Sequence, residues 1–475
     1  YELLVIVLPL ITSPYIARTI GAEGLGQFSY TYSVATYFVL FSMLGLKNYG
    51  SRVIAQTRND KKKLNETFSG LLVIHIVVSA LCVGVYVLYA LTVQTDRLLV
   101  WIQGAYVLSA LFDISWFYFG LEKFKLTVIQ SAAVKILTAV CIFVFIRDTG
   151  DIWIYCALMA GGMLLGQIVL WFPLRKYVDF TRPRSRELKK HIKPLFVLFV
   201  PAIAISLYKY MDKIMLGMIS SKTQLGFYEN AEKIINVPLS LITAVGMVML
   251  PRMSNLMKQT DQKSVSKYIS VSMRYVMCLA FAFTFGMAGA GQVFAPVFWG
   301  DEFQISGILI VYLAATIPFL SFANVIRTQY LIPAEKDREY LVSVIAGAVV
   351  NLCINWALIP HLGAVGAAIG TIAAEAAVCC IQTFYVRKRL NLRRYFRECV
   401  PFFLLGWLMF AVVFLLGRNG ATVYTLLLQI VIGGILYVAG CCIVFLCKRD
   451  ALFMGLLRMG KTALSKRTRS KIDRT

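Results

Sequence analysis

Lys61-Lys-Lys-Leu-Asn-Glu-Thr-Phe-Ser-Gly-Leu-Leu-Val-Ile-His-Ile-Val-Val-Ser-Ala-Leu-Cys-Val-Gly-Val-Tyr-Val-Leu-Tyr-Ala-Leu91 decides the fold class. Lysines open the stretch, and no charged residue follows between Phe68 and Leu91. A helix needs about 20 apolar residues to cross a bilayer, and Lys and Arg gather on the cytoplasmic side of such helices. The same pattern recurs along the 475 residues and predicts fourteen spans. They lie near 2–20, 27–46, 68–91, 98–119, 127–146, 152–174, 195–219, 227–250, 269–291, 305–326, 341–360, 364–386, 400–417 and 423–447.

The segments between the spans alternate in charge. Residues 47–66, 120–126, 175–194, 251–268, 327–340, 387–399 and the tail 448–475 hold 38 Lys and Arg against 12 Asp and Glu. The opposite loops hold 4 against 6, so one face carries the whole basic excess of a chain with net charge +24. An even number of spans places both termini on that face, in the cytoplasm. With 59% hydrophobic and 15% charged residues the composition excludes a soluble multidomain protein. The basic charge sits in short loops beside apolar spans, so its nearest partner is the anionic head groups of membrane lipids, not nucleic acid.

Most of the eleven cysteines fall inside spans, without a CxxC pair or a histidine at ligand spacing, so no metal site is expected. The chain opens on Tyr1 rather than Met, and a short segment is expected to precede it. With no basic leader region and no small-residue cleavage site, the first span reads as a retained helix.

The two halves resemble each other. Arg18-Thr-Ile-Gly21 and Leu25-Gly26-Gln-Phe28 pair with Lys213-Ile-Met-Leu-Gly217 and Leu225-Gly226-Phe227-Tyr228. Tyr118-Phe-Gly-Leu-Glu122-Lys123 pairs with Tyr330-Leu-Ile-Pro-Ala-Glu335-Lys336. Six helices is an even number, so both copies enter the membrane in the same sense, as parallel repeats with a path between them. The expected architecture is an all-α polytopic membrane protein of about 14 transmembrane helices. Residues 1–174 form an N-lobe of helices 1–6, and 175–194 a basic cytoplasmic linker. Residues 195–386 form a C-lobe of helices 7–12, residues 387–447 helices 13–14, and 448–475 a basic cytoplasmic tail. Pro9 and Pro14 are expected to interrupt the first span and Pro201 the seventh, the broken-helix signature of a binding region; simple tolerance of proline in membrane helices is the other reading. The small residues of Gly363-Ala-Val-Gly366-Ala-Ala-Ile-Gly370 are explained by close helix packing alone.

Charges inside spans cost about 2.5–3.5 kcal/mol each by insertion scales, so each needs a reason. Arg18, Lys135, Lys209 and Lys213 could form a cationic cavity for an anionic substrate group. Asp113, Asp212 or Glu375 could carry a coupling H⁺ or Na⁺. Internal pairing competes with this reading, since Lys209 reaches Asp212 at i+3 and Glu229 reaches Lys233 at i+4. Glu229, Glu232, Lys233 and Arg274 lie close enough to span ends to snorkel. Asn351 and Asn355, four apart on one face, either line the path or pin helices together.

Gly455-Leu-Leu-Arg-Met-Gly460-Lys461-Thr462 matches the P-loop pattern letter for letter. That chemistry needs a sheet domain around it, and only 13 residues follow Thr462, so the match reads as coincidence. There is no GxSxG and no HExxH, and the longest outer loop, 292–304, is too short for a catalytic domain. A transporter, not an enzyme, is expected, with no cofactor.

Pro9-Leu-Ile-Thr-Ser-Pro14-Tyr-Ile-Ala-Arg18-Thr-Ile-Gly21-Ala-Glu-Gly24-Leu-Gly26 resembles the opening of Wzx-like oligosaccharide flippases of the polysaccharide biosynthesis family, within the multidrug/oligosaccharidyl-lipid/polysaccharide exporter superfamily. Asn351-Leu-Cys-Ile-Asn355, Leu358-Ile-Pro360 and Gly363-Ala-Val-Gly366 are similar to that family's C-terminal half. The resemblance implies a MATE/MurJ-like fold in the bacterial plasma membrane. It also implies an undecaprenyl-diphosphate-linked oligosaccharide as substrate, turned outward by alternating access, with capsule or a similar surface polysaccharide as the product supplied. An ion gradient, of H⁺ or Na⁺, would drive it, and glycosyltransferases and a glycan polymerase would be its partners. A multidrug antiporter of the same superfamily would need a net acidic cavity, whereas the deep charges here lean basic. A membrane glycan polymerase would need a large outer loop.

Overall fold

A computed structural model describes residues 2–183, 185–259, 262–450 and 452–455. The P-loop-like run from residue 456 onward, and the tail beyond it, lie outside the described residues. Helices account for nearly all of the rest, and the described residues contain no strand. In a bilayer every backbone N–H and C=O must be satisfied within its own segment, and a chain this apolar meets that demand as helices.

The first lobe comprises α1 (Glu2–Met43), α2 (Leu46–Thr57), α3 (Lys61–Thr92), α4 (Arg97–Leu111), α5 (Ser115–Gly120), α6 (Phe124–Phe145) and α7 (Ile152–Val169). The second comprises α8 (Ser185–Ile219), α9 (Lys222–Lys258), α10 (Gln262–Trp299), α11 (Gln304–Ala314), α12 (Thr316–Ile326), α13 (Asp337–Leu362) and α14 (Ala364–Val386). The appended pair is α15 (Leu392–Gly417) and α16 (Val423–Cys447), packed against α10. Among the described residues eleven helices are long and apolar enough to cross a membrane. The two arms of α8, Leu188–Ala204 and Lys209–Ile219, meet at 55° and make a twelfth. The first two expected spans both lie in α1, on either side of Gly21, whose φ of 77° breaks the helical path.

Two expectations are corrected by this architecture. Pro9 and Pro14 do not interrupt the first helix; α1 runs through both, and its break falls at Gly21 instead. A membrane helix tolerates a missing N–H within its span, and α1 continues through both prolines. The segment 47–66 is not a plain loop either. Leu46, Gly50 and Ile54 are buried at a four-residue spacing while Lys47 and Arg52 stay exposed, so α2 folds as a short amphipathic helix against α5 at the basic end.

The lobes meet near the basic loops, where the Tyr49 hydroxyl of α2 lies 2.7 Å from His191 Nδ1 of α8, and again, through a closer backbone contact, at the opposite end. There α1 crosses α9. A Cβ on Gly26 would overlap the Lys222 carbonyl oxygen, and one on Gly226 would overlap that of Ala22. The contact is reciprocal: positions 22 and 26 of the first repeat meet 222 and 226 of the second. Only residues without a side chain allow two backbones so close.

Candidate functional site

Four further ties complete this seam. Arg18 donates to the Val297 carbonyl over 2.7 Å, and the Trp299 indole N–H donates to Ser13 Oγ over 2.9 Å. The break at Gly21 leaves the Ala22 N–H without a helical partner, and Glu302 Oε1 accepts it at 3.1 Å. Ser29 Oγ donates to Glu229 Oε2 over 2.7 Å. Arg18, expected in the cavity, is therefore an exposed seam residue one turn before the break.

Beneath the seam lies a cavity of about 610 Å³ between the lobes. Its walls are α1, the α4–α5 junction, α6 and α7 of the first lobe, and α8 and α9 of the second. It extends from Leu25, Phe28 and Ser29 at the sealed end to Lys47, Ser115 and Phe119 at the basic end. Four cations, Lys47, Lys135, Lys213 and Lys233, line it together with two carboxylates, Asp113 and Glu229. Thr12, Ser13, Gln130, Ser131, Gln167 and Asn230 add uncharged polar groups.

Lys135 stands half-buried on α6, eleven residues beyond its first residue, about 16 Å along the helix axis. Asp113 occupies the break between α4 and α5, where its Oδ1 accepts the Ser115 N–H over 2.9 Å. At the sealed end Lys213 Nζ lies 2.7 Å from both Glu229 and Glu232, and Lys233 Nζ lies 3.4 Å from Glu229. These four charges balance one another at the cavity wall, with their side chains largely buried. Lys209 is exposed beside the Tyr210 ring and is not among the cavity-lining residues.

Asp212 does not meet Lys209. It is buried inside the second lobe, where Oδ2 accepts Thr371 Oγ1 at 2.7 Å and Tyr228 OH at 3.1 Å, and Oδ1 accepts Asn355 Nδ2 at 2.6 Å. Asn355 also donates to Asn351 Oδ1 over 3.2 Å. Asn351 and Asn355 thus converge on a carboxylate and do not line the cavity, because the α13 face they share packs toward α8 and α14. Glu375 is buried on α14, one turn beyond Thr371.

Several site residues escape a reading of charge and depth. Lys47 belongs to a basic loop by sequence, yet α2 brings it to the cavity mouth. Lys233 and Glu229 pass for boundary residues. Ser29 and Asn230 carry no charge, and nothing in the sequence marks either of them.

A second, wholly apolar groove of about 420 Å³ lies on the far side of α1 from the cavity. Val7, Leu10 and Ile11 of α1 face it, opposite Ile234 and Pro238 of α9 and Phe298 of α10. Leu8, Pro9, Thr12, Ser13 and Ile16 of the same helix face the cavity. The i, i+4 spacing of each set separates the two faces, so α1 stands between a cavity that carries charged and polar groups among apolar walls and a wholly apolar groove.

The family of polysaccharide biosynthesis proteins matches residues 2–257, more than half of the chain. The chain belongs to the polysaccharide biosynthesis protein family. This family member is 23% identical over 386 residues to the putative O-antigen transporter of Escherichia coli (strain K12), covering 80% of this chain and 92% of that one. It is 23% identical over 259 residues to the probable low-salt glycan biosynthesis flippase Agl15 of Haloferax volcanii, covering 53% of each. Among solved structures, the lipid II flippase MurJ in an inward closed conformation matches with a TM-score of 0.77 at 14% identity, covering 94% of this chain and 97% of that chain. An inward-facing multidrug resistance MATE family transporter matches with a TM-score of 0.64 at 12% identity, covering 82% and 95%. The family member thus has the expected MATE/MurJ-like fold.

Proposed function

We propose that the chain turns an undecaprenyl-diphosphate-linked oligosaccharide from the inner to the outer leaflet of the bacterial plasma membrane by alternating access. The unit would supply a surface polysaccharide such as a capsule. The supporting observation is the partition made by α1: a chamber lined by four lysines on one face and an apolar groove on the other. A diphosphate seeks cations, a glycan seeks hydroxyl and amide groups, and a polyprenyl chain seeks neither. A substrate straddling α1 satisfies all three demands. The basic face is then cytoplasmic, and both chain ends lie on it. Glycosyltransferases that build the unit stand on that side, and the polymerase that consumes it on the other. The names of the O-antigen transporter and glycan flippase relatives support the same substrate class.

Coupling falls to Asp212. Its carboxylate, with Asn351 Oδ1 and Thr371 Oγ1 nearby, offers the oxygen donors that a proton or a Na⁺ ion accepts. Because α8 also carries Lys213, an ion bound at Asp212 acts on the helix that reaches the cavity.

Gene deletion tests this reading. Lipid-linked repeat units should accumulate on the cytoplasmic leaflet, with drug tolerance unchanged. Unchanged intermediates with altered drug tolerance would favour a multidrug antiporter instead, although four cations to two carboxylates is a poor lining for a cationic drug.

A further inference from the structure

We propose that Glu229 holds the place of the substrate's anionic head at the sealed end of the cavity, and that displacing it unlocks the seal. The inference rests on the proposed transport of an anionic head group. One carboxylate does two jobs here. Glu229 Oε2 accepts Ser29 Oγ at 2.7 Å, tying the first lobe to the second. The same group neutralises Lys213 at 2.7 Å and Lys233 at 3.4 Å, and all four residues line the cavity.

A diphosphate reaching this end presents several charged oxygens where Glu229 presents two, and lysine ammonium groups bind either. Lys213 keeps Glu232 at 2.7 Å while exchanging Glu229 for the newcomer, so neither lysine is left without an anion and the one charge set free is that of Glu229. Glu229, once released, repels the arriving anion and turns away, and its bond to Ser29 breaks. What then remains of the seam is the Gly26 and Gly226 contact with the ties of Arg18, Trp299, Glu302 and Lys222 to the other lobe, without the bond that spans the cavity's own end. Buried ion networks add little net stability, and in some proteins they select which of two arrangements forms. Here the choice is between a seam closed by the protein's own carboxylate and one opened by the substrate's phosphates.

Paired spin labels test this. Thr149→Cys and His361→Cys place labels on exposed outer positions of the two lobes, in a chain whose exposed Cys353, Cys380 and Cys447 are replaced by alanine. In nanodiscs, farnesyl diphosphate should raise the long-distance population about tenfold, the effect of losing one hydrogen bond to a charged group. Inorganic diphosphate should do the same at higher concentration, and farnesol should not. Glu229→Gln should raise that population without ligand, and so should Ser29→Ala, which leaves every charge in place. If farnesyl diphosphate binds but the wild-type distances stay fixed, or if farnesol widens them equally, the latch is overturned and the transport reading stands. If neither diphosphate binds, both fall.

Discussion

Asn355 donates its side-chain amide to the Asp212 carboxylate over 2.6 Å and so ties α13 to α8 within the second lobe. Thr371 on α14 and Tyr228 on α9 reach the same carboxylate, so four helices share one negative charge. Asp212→Asn keeps the volume and removes the charge. It should reduce gradient-driven transport about tenfold or more, given the cost of losing hydrogen bonds to a charged acceptor. Binding of farnesyl diphosphate should be unaffected. Proteoliposomes with an imposed Na⁺ or proton gradient give the measurement, and whichever gradient loses its effect in the variant names the ion.

Gly26→Val and Gly226→Val add bulk against the Lys222 and Ala22 carbonyls. Each should leave membrane insertion normal and abolish glycan export. Because either one already parts the same backbones, the double variant should be little worse than the singles. A double-mutant cycle on seam opening reads this coupling directly.

Lys135→Ala and Lys47→Ala should each weaken farnesyl diphosphate binding about tenfold, as expected for losing a charge-assisted contact. Arg18→Ala separates the cavity from the seam. With its guanidinium on Val297, it should leave diphosphate affinity within about twofold and impair export through the seam alone. Equilibrium dialysis beside an export assay distinguishes the two classes.

The clasp at the basic end concerns stability. Asp450 accepts Arg274 and Tyr275 from α10 and the N–H groups of Leu452 and Phe453, while Glu398 meets Arg274 at 2.9 Å. Burial pushes the Asp450 carboxyl up, but the Phe453 N–H, Tyr275 and Arg274 outweigh it and hold the group below the usual range. Its contribution is present above the ordinary carboxylate value near 4 and is lost as pH falls through the lowered value. Asp450→Asn should cost about 1–3 kcal/mol, read as a lower melting temperature at neutral pH that converges on the wild type in acid.

The helices and the duplication are legible because bilayer crossing demands long apolar runs and because paired motifs recur at a near-constant offset. Lys135 and Lys213 stand out, since burying a cation needs a reason. What depth does not reveal is direction around the helix. A membrane helix is apolar toward lipid and toward its neighbours alike, so Lys209 and Lys213, one turn apart, read the same although one is exposed and the other meets two carboxylates. Arg18 misleads for a related reason, because its depth depends on where α1 breaks, and that is set by Gly21 rather than by either proline. Ser29 and Asn230 are silent in sequence because serine and asparagine are common in helices that merely pack.

The bond between Ser29 and Glu229 bears on how such a protein could arise. Two identical halves meeting about an axis would bring each of these positions against its own copy. Glutamate would then face glutamate, and serine would face a serine with no charge to hold. Joining the halves in one chain lets the sequences drift apart at the point where they touch, so that an acceptor on one side can meet a donor on the other.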